Sequence, residues 1–362
     1  MNKKAVVKKI ENLAKKIYEE FEFGSPSIEF IVRGSLKNIE YDVGKDIIRL
    51  KKSLGKREFF NLGHVRKFTQ TIMVAALAKE LLEKDKTASL REVYYQLKHT
   101  IPVVNENTFE EQAESDAIIE DLERTLGVIR EQMHIKADRR GSVYGDITMR
   151  DRKRGDEWNC AKLGMGGWSI PSTIEDIDIV DVNTDYVIVV EKDALFERLV
   201  EEKLPEKLRA ILISVKGQAS RGARRLIHRL RYEHRLPVLV FTDGDPWGFY
   251  IYSVIKRGSM KLSHFSEYLA TPDVKFIGMT MDDIEEYNLW NVTMKLKQVD
   301  EKRVKELMSY PWFKNNKAWQ RQFRKMLKWK VKIEQDALAS KSLEFVAEKY
   351  LPEKIEKEKF LT

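Results

Sequence analysis

Hydrophobic positions recur at helical spacing from the start of the chain. Val6, Ile10, Leu13 and Ile17 line one face, with lysines and glutamates between them, and predict an amphipathic helix. That face packs on its own domain or on a partner. Two strand-like pieces follow, SIEFIVRG and IEYDVGKDIIRL. From about residue 67 to 135 the pattern is helical again. RKFTQTIMVAALAKELLEK is one apolar-striped helix, SLREVYYQLKHT a short second, and TFEEQAESDAIIEDLERTLGV a third that ends near Gly127. IKADRRGSVYGDI then predicts two short strands around a glycine turn. Three helices and a small hairpin are the order of a winged helix-turn-helix. Three-helix stretches also occur in proteins that never touch DNA.

From about residue 184 the period changes. DYVIVV, AILISV, PVLVFTD and VKFIG are apolar runs of strand length. ALFERLVEEKL, SRGARRLIHRLRYEH and WGFYIYSVIKRGS are helices between them. Strands apolar on both faces, alternating with helices, predict a parallel sheet covered on both sides. The expected fold class is therefore α/β plus α+β, a winged-helix (CAP-like) domain followed by a Rossmann-like parallel sheet. Ligands of such sheets sit beyond the carboxyl ends of the strands. Beyond about 296 the chain is helical and rich in charge, and NCAKLGMGGWSIPST (159–173) is the candidate connector between domains.

Composition sets limits on this picture. The 362 residues, 43% hydrophobic, suffice for two or three domains. Lys plus Arg number 65 against 57 acids, a net +8 that suits a polyanionic partner and equally a mixed charged surface. With Cys160 the single cysteine, no internal disulfide and no cysteine-based zinc cluster can form, which fits a reducing, intracellular setting. The basic start lacks a continuous apolar stretch, so it does not read as a secretory signal. No apolar run has the length of a membrane span. The charged fraction of 34% would suit a thermophile.

The strand ends carry the candidate chemistry. Glu191 follows the first apolar strand, and Asp243 and Asp245 follow the third, so all three carboxylates are expected in one crevice. No matching run of lysines stands at these strand ends. Gly244 lets the chain turn between the aspartates, and Pro246 stops the strand. A hard divalent cation such as Mg²⁺ would relieve the repulsion. A single acid at a strand end is more often a helix cap or a solvated turn. Metal-dependent phosphotransferases, nucleases, primases and topoisomerases all use such clusters.

Basic residues follow the second strand. Arg221, Arg224 and Arg225 share a face near the start of a helix and are expected at phosphate oxygens, whereas Arg229 and Arg231 are expected on a solvated face. In WQRQFRKMLKWKVK, a surface helix anchored by Trp319 and Phe323 explains the pattern as well as nucleic-acid contact does.

The stretch SLREVYYQL offers a nucleophile. Ser89 and Glu92 form a capping box that starts the helix. Leu90, Val93, Tyr94 and Leu97 make the buried stripe, while Arg91, Tyr95 and Lys98 fall on another face. Tyr94 is thus expected in the core and Tyr95 displayed between two cations. A phenol with pKa near ~10 is a poor nucleophile at neutral pH. Nearby cations and a metal would favour the phenolate. On the helix alone, a plain exposed tyrosine is the default.

Together, LREVYY (90–95), FEEQAESDAIIEDLERTLGVIRE (109–131), VVEKDA (189–194), GQASRGARRLIHRL (217–230) and DGDPWGFYI (243–251) resemble the A-subunit family of archaeal DNA topoisomerase VI, which includes the meiotic break-forming protein Spo11. The likeness spans nearly the whole chain, down to KYLPEKI near its end. The resemblance implies Tyr95 as nucleophile, assisted by Arg91, and Glu191, Asp243 and Asp245 as Mg²⁺ ligands of a Toprim domain. Lys98, Arg221, Arg224 and Arg225 are candidate DNA contacts. The expected division is 1–66 as an N-terminal segment with a candidate partner contact, 67–150 as the winged-helix domain, and 151–362 as the Toprim domain with a helical elaboration.

The implied activity is reversible double-strand cleavage through a 5′-phosphotyrosyl link, which relaxes or decatenates DNA. It implies a homodimer on double-stranded DNA, in which one protomer's tyrosine meets the other's metal site. No GxxxxGK[ST] loop is present, so the ATP step falls to a separate protein chain. The resemblance implies a GHKL-type ATPase B subunit in an A₂B₂ assembly, placed in an archaeal cytoplasm at the nucleoid, with no membrane. The competing readings are a Spo11-like break-maker that does not reseal, a Toprim nuclease that hydrolyses DNA, and a winged-helix DNA-binding protein whose acids are structural.

Overall fold

The computed structural model describes residues 3–362. The chain separates into two compact units. One runs to Ile39 and resumes over Leu50–Asp138; the other takes in Glu40–Arg49 and Arg139–Thr362.

In the first unit, α1 (Lys3–Glu22) buries Val6, Ile10 and Ile17. Its apolar face thus packs on its own unit: Val6 and Ile10 join the core, and Ile17 meets Ile28 and Phe68. Strand β1 (Ser27–Ile31) comes next in this unit. The chain then departs through β2 (Ile39–Asp42) and β3 (Ile47–Leu50), which pair with each other, and returns as β4 (Leu54–Glu58), antiparallel to β1. Helices α2 (Val65–Glu83), α3 (Leu90–Leu97) and α4 (Gln112–Leu126) close the core with Val74, Leu82, Val93, Ile118 and Leu122. Arg57 and Arg124, both buried, pair with Asp121 and tie β4 to α4. Helix α4 stops at Gly127, whose φ of 60° is the left-handed conformation that glycine adopts without penalty.

The two short strands expected after α4 do not form a hairpin. β5 (Ala88–Ser89), just before α3, pairs in parallel with β8 (Ile135–Lys136). β9 (Ser142–Tyr144) instead joins the large sheet of the second unit. The glycine read as a hairpin tip lies against that sheet: a Cβ on Gly141 would stand 2.6 Å from the Ser214 carbonyl oxygen. A small hairpin does occur between α3 and α4, where β6 (Thr100–Ile101) pairs with β7 (Glu106–Asn107). Strands this short carry no periodicity to reveal their partners.

The second unit opens with an antiparallel layer. β10 (Ile147–Asp151) lies between β11 (Glu157–Asn159) and β13 (Ile177–Val182). The large sheet has the order β12–β9–β15–β14–β16–β17. Here β12 is Trp168–Ser169, β14 Tyr186–Val190, β15 Ala210–Ser214, β16 Val238–Phe241 and β17 Lys275–Gly278. The last four in that order run parallel, and β9 is antiparallel to β15. Apart from half-buried Tyr186, the residues of β14, β15 and β16 are all buried, as apolar runs on both faces require. Helices α5 (Asp193–Glu201), α6 (Leu204–Lys207), α7 (Arg221–Tyr232) and α8 (Pro246–Arg257) form the connections.

The stretch 159–173 is no linker. It buries Cys160 completely and supplies β12 to the sheet edge. Of its glycines, Gly167 reflects close approach: a Cβ there would stand 2.5 Å from the Val143 carbonyl oxygen, whereas Gly164 and Gly166 have open space beside them. The helix Lys317–Trp329 is anchored as expected, with Trp319 and Phe323 fully buried against Phe249. A side chain of that kind is worth about 3–5 kcal/mol against alanine.

Candidate functional site

Helix α3 positions the tyrosines. The Ser89 hydroxyl accepts from the Glu92 amide at 3.2 Å, and the Glu92 carboxylate accepts from the Ser89 amide at 2.6 Å, closing the capping box. Tyr94 is 9% exposed and lies in the core, whereas Tyr95 is 66% exposed. Their rings stand 5.1 Å apart. The Tyr94 hydroxyl donates to the Glu110 carbonyl at 2.7 Å. Arg91 is exposed on the turn before Tyr95.

Lys98 departs from expectation. Its ammonium donates to the Tyr94 hydroxyl at 2.9 Å and reaches the Glu110 carbonyl at 3.4 Å. The hydrogen bond to Tyr94 is the leading cause of its raised pKa. Lys98 therefore secures the buried tyrosine rather than flanking the displayed one. Helical spacing placed its Cβ correctly, but a four-carbon stem reaches either neighbour.

The acidic residues lie at the carboxyl ends of β14 and β16. Glu191 follows β14 directly, and its Oε2 accepts from the Asp243 amide at 3.1 Å. Asp243 Oδ1 accepts from the Gln335 amide at 2.8 Å. Asp245 caps α8, its Oδ1 accepting from the Trp247 and Gly248 amides at 2.9 and 2.7 Å. The turn between the aspartates is clamped: Gly244 and Ile333 exchange backbone hydrogen bonds of 2.8 and 3.1 Å. A Cβ on Gly244 would meet Ile333 Cγ2 at 2.7 Å, and one on Gly248 would meet the Asp243 carbonyl oxygen at 2.2 Å. Both glycines are needed because other backbone and side chains occupy the space.

Electrostatics mark this as an under-neutralised site. Burial, then the Asp243 charge, pushes Glu191 up to about 7. Burial chiefly pushes Asp243 up to about 6, and burial also raises Asp245. The expectation that lysines are missing here is overturned. Lys192 Nζ stands 3.3 Å from Asp243 Oδ2, 2.5 Å from Glu334 Oε2 and 2.6 Å from Asp336 Oδ2. Burial opposes its charge, but the hydrogen bonds to Asp336 and Glu334 help raise its pKa. Lys332 Nζ lies 3.0 Å from Asp300 Oδ2 and 4.0 Å from Asp245 Oδ2.

Lys192 stands beside Glu191 in VVEKDA, so its place was open to inspection. Glu334, Gln335 and Asp336 lie about ninety residues beyond Asp243 without a local pattern to announce them. Among the described residues, no group of three or more carboxylate, imidazole or thiol side chains is placed to hold a metal ion as it stands. The donor chemistry nonetheless suits a hard cation, since buried carboxylate oxygens with raised pKa values lack full compensation.

The arginines of α7 do not form one exposed basic face. Arg224 is 2% exposed, its Nε and Nη2 are without hydrogen-bond partners, and burial pushes it down to about 10. Arg225 pairs with Glu175 and lies 3.9 Å over the Tyr268 ring. Arg229, expected in solvent, is buried and donates to the Ile174 and Ile177 carbonyls at 3.1 and 2.8 Å. Arg231 pairs with Asp273. Arg221 opens the helix, after Ser220 caps it by accepting from the Ala223 amide. Charge periodicity does not reveal that an arginine stem can carry its head inward.

A winged-helix-like domain bearing an exposed tyrosine, followed by a parallel sheet with acids at its strand ends, defines a DNA-processing enzyme of the Toprim class. Compared with known families, residues 186–355 match the Toprim domain of the topoisomerase 6 A-subunit/Spo11 family. Residues 66–135 match the type IIB DNA topoisomerase model, and 139–183 the all-beta domain of the DNA topoisomerase VI alpha chain. The chain is 56% identical over 367 residues to the A-subunit of type 2 DNA topoisomerase 6 from Pyrococcus abyssi, covering 98% of this chain and 95% of that one. It is 42% identical to that of Hyperthermus butylicus, covering 94% and 92%, and 36% identical to that of Halobacterium salinarum, covering 95% and 93%.

The chain belongs to the topoisomerase VI A-subunit/Spo11 family, as the DNA cleavage and rejoining component of a type IIB topoisomerase. Toprim domains of this family generally bind Mg²⁺, and the likeness implies DNA binding and assembly into a complex. These relatives are archaeal, and among the described residues no helix is long and apolar enough to cross a membrane.

Proposed function

We propose that Tyr95 is the nucleophile. Its phenol oxygen attacks a DNA backbone phosphorus, forms a phosphotyrosyl bond to the 5′ end, and expels the 3′ oxygen as a hydroxyl. The phosphodiester energy is retained in the new bond, so the 3′-hydroxyl can reverse the step and reseal the strand. Arg91, one turn before Tyr95, steadies the phosphate oxygens on which charge builds. Glu191, Asp243 and Asp245 would hold Mg²⁺. That ion would act as a Lewis acid toward the phosphate oxygens. Lys98 keeps Tyr94 in place, and with Arg221 it remains a proposed DNA contact. Arg224, buried, and Arg225, paired with Glu175, are left out of that set.

Cutting both strands takes two tyrosines, hence a homodimer on double-stranded DNA in which each Tyr95 serves the partner's acidic centre. ATP is consumed by a GHKL-type B subunit in an A₂B₂ assembly at an archaeal nucleoid. The proposed contact for it lies in segment 1–66, on α1, where a groove of about 390 Å³ is lined by Leu13, Ile17, Tyr18 and Phe21 and closed on its far side by Ile72 of α2. The other proposed functional divisions are 67–150 for the nucleophile and 151–362 for the metal.

The observation that carries the reading is the opposite exposure of two adjacent tyrosines, Tyr94 at 9% and Tyr95 at 66%, within the region that matches the type IIB family. The test incubates the protein and its ATPase partner with supercoiled plasmid, Mg²⁺ and ATP, followed by denaturation and protease digestion. Protein attached to 5′ ends, lost in Tyr95→Phe and kept in Tyr94→Phe, is the expected result. Free 5′-phosphates without an adduct would point to hydrolysis instead.

A further inference from the structure

The acidic centre has an exposed aromatic neighbour that the cleavage step leaves unused. Trp247 is the second residue of α8, two positions after Asp245, and is 46% exposed. Its amide donates to Asp245 Oδ1 at 2.9 Å. Side chains on a helix lean toward its N-terminus. The first turn of α8 therefore carries the indole toward the carboxyl end of β16, where Asp243 and Asp245 lie.

The ring is fixed in place. The Arg303 guanidinium lies over it, 5.3 Å from the ring centre, and is itself held over Tyr250 at 4.2 Å and by Glu306 at 2.7 Å. Burial opposes the Asp300 charge, yet hydrogen bonds from Lys332, the Lys297 amide and the Trp247 indole hold that carboxyl below its usual range. Lys332 Nζ, 3.0 Å from Asp300 Oδ2, is 4.0 Å from Asp245 Oδ2. One carboxylate and one ammonium thus join the indole to the acidic centre. Arg303 on one face and Asp300 at the ring nitrogen leave the opposite face open. Trp290, similarly exposed at 41%, differs, since its ring already packs on Trp329 at 4.9 Å.

We propose that the open face of Trp247 stacks on a nucleobase at the DNA break. In an intact duplex each base stacks on its neighbours, and parting the strand ends strips that contact from the bases at the break. An indole beside the acids replaces it, because every base presents a π-face whatever the sequence. A ring already fixed by Arg303 and Asp300 loses little freedom on contact. Trp247 therefore favours the cleaved state over the intact one without touching the reacting atoms. This rests on the reading of Glu191, Asp243 and Asp245 as the centre that handles the scissile phosphate.

The test uses the full-length chain with its ATPase partner on short duplexes whose cut site has been mapped, with 2-aminopurine next to the cut on one side or the other. In the wild-type adduct, 2-aminopurine fluorescence is expected to be quenched on one side. Trp247→Leu is expected to lower the equilibrium yield of adduct roughly tenfold, and to leave the probe bright in the adduct that remains. Trp247→Phe is expected to recover most of the yield. Trp247→Gln repeats the measurement should the Leu variant lose its circular dichroism spectrum. Affinity for intact duplex, read in a Tyr95→Phe background, and affinity for Mn²⁺ are expected to stay unchanged. Equal yield and equal quenching in Trp247→Leu would overturn the proposal. So would a lowered yield with weakened Mn²⁺ binding, which would make the indole a prop for Asp245. Wild-type protein that leaves free 5′-phosphates and no adduct would instead overturn the reading of the site on which the proposal rests.

Discussion

Removing one oxygen from either member of the tyrosine pair should have opposite consequences. Tyr94→Phe keeps the ring in the core of the first unit and deletes a hydroxyl that donates to the Glu110 carbonyl at 2.7 Å. The net loss for such a bond is about 0.5–1.5 kcal/mol, toward the upper end when the acceptor is left without a donor. The Lys98 ammonium, bonded to the same oxygen, is near enough to the Glu110 carbonyl at 3.4 Å to compensate in part. We therefore expect a loss of about 1 kcal/mol, seen as a lower urea midpoint at unchanged slope and as faster amide exchange in α3 and α4. Tyr95→Phe removes an exposed hydroxyl and should stay within ~0.5 kcal/mol of wild type. Adduct formation should follow the reverse order, present in Tyr94→Phe and absent in Tyr95→Phe. A Tyr95→Phe protein that unfolds before Tyr94→Phe would refute the assignment of packing roles. A fully stable Tyr94→Phe protein without adduct would refute the assignment of chemistry.

Other expectations concern the acidic centre and helix α7. Glu191 at about 7 and Asp243 at about 6 retain protons in the folded state that the unfolded chain has released, so their contribution to stability is present below about pH 4 and is lost as pH rises toward 7. Metal binding at pH 6 should then release between one and two protons, and almost none at pH 8.5, measured by calorimetry in buffers of different ionisation enthalpy; equal release at both would count against it. Gly248→Ala drives a Cβ to 2.2 Å from the Asp243 carbonyl oxygen, and should weaken Mn²⁺ binding roughly tenfold or more while far-ultraviolet dichroism persists. Arg224→Met exchanges a buried guanidinium with two unpartnered nitrogens for an apolar chain, and should leave the melting temperature unchanged or higher. Arg229→Met strips donors from the Ile174 and Ile177 carbonyls and should cost about 1.5–3 kcal/mol; melting curves that rank the two the other way would contradict the burial argument.

Much of this was legible because local physics governs it. The capping box at Ser89 and Glu92, the buried stripe of α3 and the glycine stop of α4 involve groups within a few residues of each other. The double-sided apolar runs of β14, β15 and β16 could only be central strands, and their order in the chain put Glu191, Asp243 and Asp245 at the same sheet end. Where partners lie far apart in sequence, spacing was silent. The two-residue strands β5 and β8 pair across some forty-five intervening residues. Residues 159–173 looked like a linker through their glycines, yet one of them, Gly167, permits close packing against β9 and Phe196.

Long charged side chains mark the same divide. Sequence alone determined that Tyr94 packs and Tyr95 is displayed, because Cβ direction on a helix follows from residue spacing. It also determined the three acidic positions, because strand ends and turns are local events. Only the tertiary structure decided what the flexible cations do: Lys98 turns to Tyr94, Arg224 and Arg229 go inward, and Lys192 gathers Asp243, Glu334 and Asp336. Their ends sit several bonds from the backbone, and the partner that captures each one is chosen by the electrostatics of the folded chain.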